Sequence, residues 1–189
     1  MIKSLSLLLQ SWITNKSYSQ SSTYIGILRC VLCSLVVSIA SRLVVFLPFS
    51  PIPVVLQVQL CLFFASIYGA RDGLIIVLLF LLQGIMGAPV FAGGLAGIVH
   101  LIGPSGGYLV GYALGAFCTG KIVERYNQRT MLAMIIGNAI VYIVGMLHLS
   151  HFIPIKQACM LGVLPYIPLD LLKIAFFAKL KSYSFENVK

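Results

Sequence analysis

Asp170 and Lys173 are spaced i, i+3, which sets a carboxylate and an ammonium on one face of a helix. One group accepts hydrogen bonds and the other donates them, so together they can read a polar ligand that carries both kinds of site. Pro168 suits the first turn of such a helix. Asp170 then stands near its N-terminus, where the helix dipole favours negative charge. The spacing equally permits an ion pair that ties two helices together. Arg42, Gln57, Gln59, Gln83, His100, Asn138 and His148 are the other polar groups set in apolar surroundings. A second constellation, Gly103-Pro104-Ser105-Gly106, is a literal G-x-S-G at the start of an apolar stretch. A serine there becomes a nucleophile only with a histidine in hydrogen-bond reach.

The elements that must position these residues are set by composition. Of 189 residues 60% are apolar and 9% charged, and mean hydropathy is +1.03. A soluble domain averages roughly 25% charged residues, so too few polar side chains exist to cover a water-facing surface. Disorder is excluded by the same numbers. An integral membrane protein remains. The formal net charge of +9 does not point to nucleic acid, because the basic residues flank apolar stretches, the arrangement that orients membrane proteins.

Six apolar stretches read as spans: Ile25–Leu47, Val54–Tyr68, Gly73–Met86, Ser105–Val123, Met131–Leu149 and Pro168–Leu180. If both termini are cytoplasmic, ten of the thirteen Lys and Arg fall inside, leaving Arg42, Lys156 and Lys173, so that orientation is expected. Residues 1–24 form a cytoplasmic or interfacial segment, 25–182 the membrane domain and 183–189 a cytoplasmic tail. Leu5, Leu8, Leu9 and Trp12 share a helical face, consistent with an interfacial helix or with a frayed tail. The five cysteines read as small apolar packing residues, Cys30-x-x-Cys33 included.

The last span is short. Pro168 to Lys181 is 14 residues, about 21 Å at 1.5 Å per residue, against a hydrocarbon core of about 30 Å. The segment 160–167 before it should be broken backbone at membrane depth, tolerated where it is buried or lines a cavity. With the Asp170–Lys173 pair this suggests an outward-facing pocket. The uncharged, glycine-rich loop from Gly87 to Pro104 and the apolar loop from Pro48 to Pro53 are expected to fold over it as lids. Gly107-x-x-x-Gly111-x-x-x-Gly115 and Ser34-x-x-x-Ser38 are close-packing patterns between helices in lipid. No phosphate-binding loop and no metal-ligand spacing occur in the sequence.

Four stretches, Ser50-Pro51-Ile52-Pro53-Val54-Val55-Leu56-Gln57, Gly87-Ala88-Pro89-Val90-Phe91-Ala92-Gly93-Gly94, Gly103-Pro104-Ser105-Gly106-Gly107-Tyr108 and Gly162-Val163-Leu164-Pro165-Tyr166-Ile167-Pro168-Leu169-Asp170-Leu171-Leu172-Lys173, resemble in order the signatures of the BioY family. BioY proteins are the biotin-binding S components of energy-coupling-factor transporters. The resemblance implies an all-α membrane protein of the S-component fold, with six transmembrane helices and long outer loops capping an outward-facing pocket. It implies biotin as transported ligand, no cofactor, and as partners a membrane T component and ATP-binding ATPase subunits in the bacterial cytoplasmic membrane. It carries ureido recognition to Asp170 and Lys173, with Gln57 a further hydrogen-bonding group. Phe91, Tyr108, Ile52 and the loop residues Ala92, Gly93 and Gly94 would contact the apolar part of the ligand. Where homologues often carry a basic or polar residue after the loop's Ala-Gly, this chain has Leu95-Ala96-Gly97. Ser34-x-x-x-Ser38 stands in for the small-residue contact that S components offer a partner. Rival readings are an S component for another vitamin and a rhomboid-like intramembrane serine protease. The last span supplies no histidine to such a protease, and His148 ends span five.

Overall fold

The computed structural model describes residues 23–45, 54–126 and 129–186. Among them are eight α-helices: α1 Thr23–Ala40, α2 Gln57–Tyr68, α3 Ala70–Ile85, α4 Val99–Ile102, α5 Gly106–Arg125, α6 Thr130–Leu149, α7 Ile155–Gly162 and α8 Ile167–Glu186. Two short strands, β1 Val44–Val45 and β2 Val54–Val55, pair antiparallel with Val44 opposite Val55. The expected first and second spans thus give up residues at the facing ends, where the chain forms this ribbon. The interfacial segment, the loop from Pro48 to Pro53 and Ile52 lie outside the described residues.

Six helices, α1, α2, α3, α5, α6 and α8, overlap the six apolar stretches. By length and composition α6 can cross a membrane alone, and α7 with α8 can do so as a pair bent by 46°. The break between those two falls at residues 163–166, narrower than the expected 160–167, because helix α7 continues to Gly162. Helix α8 continues through the expected tail boundary to Glu186.

The surface is inverted relative to a soluble protein. Leu28, Leu32, Leu35 and Ile39 on α1, Ile136, Ile143 and Leu147 on α6, and Leu172 and Phe176 on α8 are all exposed. Gln57, Gln59, Asn138, Asp170 and Lys181 are buried. Apolar outside and polar inside is what a lipid solvent demands, since backbone and side-chain polar groups must be satisfied within the fold.

Helices α5 and α6 make the most extensive contact, and glycines permit it. A Cβ on Gly111 would stand 3.0 Å from the Val141 Cα, and one on Gly115 would stand 2.7 Å from the Gly137 carbonyl oxygen. The glycine stripe therefore lets the two backbones touch, as its spacing predicts. The serine stripe on α1 has a different use. The Ser38 hydroxyl lies 2.9 Å from Gln83 Oε1, and Gln83 Nε2 donates to Ser34 Oγ at 2.8 Å. Both serines are buried against α3, so they are not the surface offered to a partner that the sequence suggested. The reason is Gln83, a polar side chain in an apolar helix that must find partners inside the fold.

Candidate functional site

Asp170 and Lys173 project from the first turns of α8. Lys173 Nζ lies 2.7 Å from Asp170 Oδ1 and donates to the Val55 carbonyl at 2.9 Å. The Tyr142 hydroxyl of α6 donates to Asp170 Oδ2 at 2.5 Å. Asp170 is 5% exposed, so the carboxylate is held by three elements: its own helix, α6 and, through Lys173, strand β2. Charge-assisted bonds of this kind are worth about 1.5–3 kcal/mol each, enough to hold a charged pair out of water when the geometry is good.

A cavity of about 40 Å³ adjoins the pair, lined by Val55, Val58, Tyr108, Tyr112, Asn138, Val141, Tyr142, Gly162, Tyr166 and Asp170. Its walls are mostly aromatic and aliphatic, with a few polar groups among them, the composition of a small-molecule site. Tyr108 lines it and donates its hydroxyl to the Gly162 carbonyl at 2.9 Å. This bond ties α5 to the end of α7 where the chain breaks. Gln57, 1% exposed, sits at the N-terminus of α2 and donates through Nε2 to the Tyr112 hydroxyl at 3.3 Å. Its Oε1 is buried with no hydrogen-bond partner among the described residues. A buried amide oxygen left unpaired costs about 1–3 kcal/mol, and Gln59 Oε1, two residues on, is unpaired in the same way.

The structure sets Asp170 and Tyr108 on the cavity, with Lys173 and Gln57 one contact behind it, through Asp170 and Tyr112. It places the other expected residues elsewhere. Phe91 is buried, packed edge-on to Phe80 at 5.8 Å between ring centroids and seated on Gly84, where a Cβ would meet its ring at 2.1 Å. Ala92, Gly93 and Gly94 form a single 3-10 turn. Gly93 N–H donates to the Ser41 carbonyl at 3.4 Å, and Gly97 N–H to the Gly84 carbonyl at 2.8 Å. The glycine-rich loop is therefore folded back, as expected, but over the ends of α1 and α3, and none of Phe91, Ala92, Gly93 and Gly94 lines the cavity.

Tyr142 and Tyr112 were not picked out from the sequence, whereas Asn138 was among its polar candidates. A signal was available: Asn138 and Tyr142 are spaced i, i+4, as are Tyr108 and Tyr112, so each pair shares a helix face. The serine-protease geometry does not form. His148 Nε2 pairs with the Gly103 carbonyl at 3.0 Å rather than with the Ser105 hydroxyl.

This chain is similar to known proteins along most of its length. The "Probable biotin transporter BioY" of Rickettsia prowazekii (strain Madrid E) is 32% identical over 177 residues, covering 91% of this chain and 89% of that one. The "Biotin transporter BioY" of Thermotoga maritima is 34% identical over 135 residues, covering 70% of this chain and 80% of that one. The fold matches the crystal structure of the S component for biotin from an ECF-type ABC transporter. The TM-score is 0.76 at 23% identity, over 87% of this chain and 94% of that one. The sequence profile of the BioY family matches residues 14–186, and the chain belongs to that family.

Proposed function

We propose that this protein is the biotin-binding S component of an energy-coupling-factor transporter. In this reading it captures biotin from outside the cytoplasmic membrane and hands it inward. The observation that carries the reading is the unspent hydrogen-bonding capacity of the Asp170–Lys173 pair. An ammonium has three donors, and Lys173 uses two of them, on Asp170 and on Val55. An ionised carboxylate has about four acceptor sites, and Asp170 uses two, for Lys173 and Tyr142. One donor and two acceptors remain. The ureido ring of biotin presents one carbonyl and two N–H groups, the complement of that set. Gln57 Oε1 is a further unpaired acceptor, one contact away behind Tyr112.

The cavity of about 40 Å³ is far below the roughly 300–1,000 Å³ of a site that encloses a ligand of this size. Entry of biotin therefore requires the tyrosines or the outer loops to part, and Phe91, Ala92, Gly93 and Gly94 reach the ligand only after such a change. Six spans, both termini in the cytoplasm and an outward-facing pocket fit the distribution of Lys and Arg. Transport rather than catalysis follows from the family and from a site whose groups bind without activating a nucleophile. With no phosphate-binding loop in its sequence, the chain depends on a membrane T component and ATPase subunits for energy; biotin is cargo, and nucleic acid is no partner.

Isothermal titration of the detergent-purified protein with biotin, beside Asp170→Asn and Lys173→Ala, tests the reading. Tight binding lost in both variants is expected. Folded wild-type protein that ignores biotin would turn the assignment to another vitamin, with thiamin and riboflavin the next titrants.

A further inference from the structure

The groups around Asp170 answer only the ureido end of biotin; its other end is a carboxylate, which needs a cation. The geometry points to Arg42 as the residue that pairs with that carboxylate, an inference that rests on biotin being the ligand. Arg42 follows the last turn of α1 and precedes β1. Strand β1 pairs Val44 with Val55, and the Val55 carbonyl is the one that takes the Lys173 ammonium. Arg42 thus stands in the turn two residues before Val44, the residue opposite Val55 in the ribbon. At about 3.3 Å per residue and about 4.8 Å between strands, its Cα lies within roughly 12 Å of the Val55 carbonyl. Biotin spans roughly 10 Å from ureido oxygen to carboxylate at ordinary bond lengths. The arginine side chain covers the remainder.

The guanidinium rests against the glycine-rich loop. Arg42 Nη1 lies 3.1 Å from where a Cβ on Gly94 would stand, and Gly94 holds φ +83°. Glycine is tolerated in that left-handed conformation and leaves the space that the guanidinium occupies. The bond from Gly93 N–H to the Ser41 carbonyl fixes the loop to the same turn. Arg42 is exposed and has no carboxylate partner among the described residues. The histidines at this end are engaged otherwise. His148 is on the Gly103 carbonyl, His151 is on the Leu147 and His148 carbonyls, and His100 is against the Phe91 ring. Lys156, the other exposed cation expected on this side, lies on α7; Arg42 is the cation held against the glycine-rich loop, and its fork of donors fits a carboxylate bidentately.

The test titrates biotin and biotinamide, whose side chain ends in a neutral carboxamide, into wild-type protein and Arg42→Gln, with thermal unfolding of both as a folding control. Wild-type protein is expected to prefer biotin by about tenfold or more, the value of one charge-assisted pair. Arg42→Gln is expected to bind both ligands alike, near the wild-type affinity for biotinamide. Equal affinities in wild-type protein, or a preference that survives Arg42→Gln, would overturn the assignment while leaving biotin as ligand. An equal loss for both ligands in folded Arg42→Gln would also overturn it, making Arg42 a prop for the loop. Folded wild-type protein that binds neither ligand would instead sink the biotin reading itself.

Discussion

Asp170 and Lys181 sit on the same helix, are each 5% exposed, and have opposite fates. Lys181 donates to the Ser66 carbonyl at 2.6 Å, capping the last turn of α2. Around it, Glu124 Oε1 accepts the Ala70 N–H at 2.7 Å and so covers the start of α3. Arg29 pairs with Asp72 and lies 4.5 Å over the Tyr68 ring. These three groups of charges close a helix terminus or a junction between helices, where orphan backbone groups and dipoles reward them. At the Asp170 end the charges close no helix. They hold one another, a tyrosine and one strand carbonyl, and donors and acceptors are left over. A buried charge that completes backbone hydrogen bonding stabilises; a buried pair with capacity to spare is what the proposed ligand site would use.

This contrast predicts that variants at one end change affinity and at the other change stability. The largest effect is expected at Asp170→Asn, which removes one charge of a hydrogen-bonded buried pair. By the usual cost of about 2–5 kcal/mol, biotin affinity should fall by more than thirtyfold in titration calorimetry. A loss of thermal stability with affinity intact would erase the distinction between the ends. Next comes Gly120→Ala, where the new Cβ would meet the Ala70 backbone nitrogen at 2.3 Å. Overpacking of this sort costs about 1–3 kcal/mol or more. The unfolding midpoint should drop, while the protein that remains folded keeps its biotin affinity. Lys181→Met, which keeps the stem and removes the donor, should lower stability by about 1.5–3 kcal/mol with the dissociation constant unmoved. Tyr142→Phe is expected to be the smallest. Loss of its hydroxyl leaves the Asp170 carboxylate less firmly oriented and should weaken biotin binding about fivefold, the value of roughly 1 kcal/mol. An affinity unchanged in Tyr142→Phe would confine the site to Asp170, Lys173 and Gln57.

Several of these features were legible in advance. Asp170 and Lys173 share a face because three residues nearly complete a helical turn, and their rarity in an apolar chain marks them. The glycine stripe of α5 is equally local, because its spacing alone selects one face, and that face meets α6. The residues missed, Tyr142 and Tyr112, carry no such mark. A tyrosine in an apolar helix reads as core until a second helix sets a carboxylate within reach of its hydroxyl. Ser34 and Ser38 show the converse. Their spacing fits an outer contact surface as well as an inner one, and only Gln83 across the interface decides between them.

From the chain alone came whatever depends on composition or on neighbours within a turn. That comprises an apolar exterior demanding lipid, the six apolar stretches, the break before α8 and the ion pair that follows it. The tertiary structure decided what depends on residues far apart in sequence. Val55 meets Lys173 across 118 positions, and Gln57 meets Tyr112 across 55. The glycine-rich loop lies over α1 and α3 rather than on the cavity. Sequence periodicity specifies which face of a helix is polar; which other face it meets is set by packing, where side chains distant in the chain compete for the same buried partners.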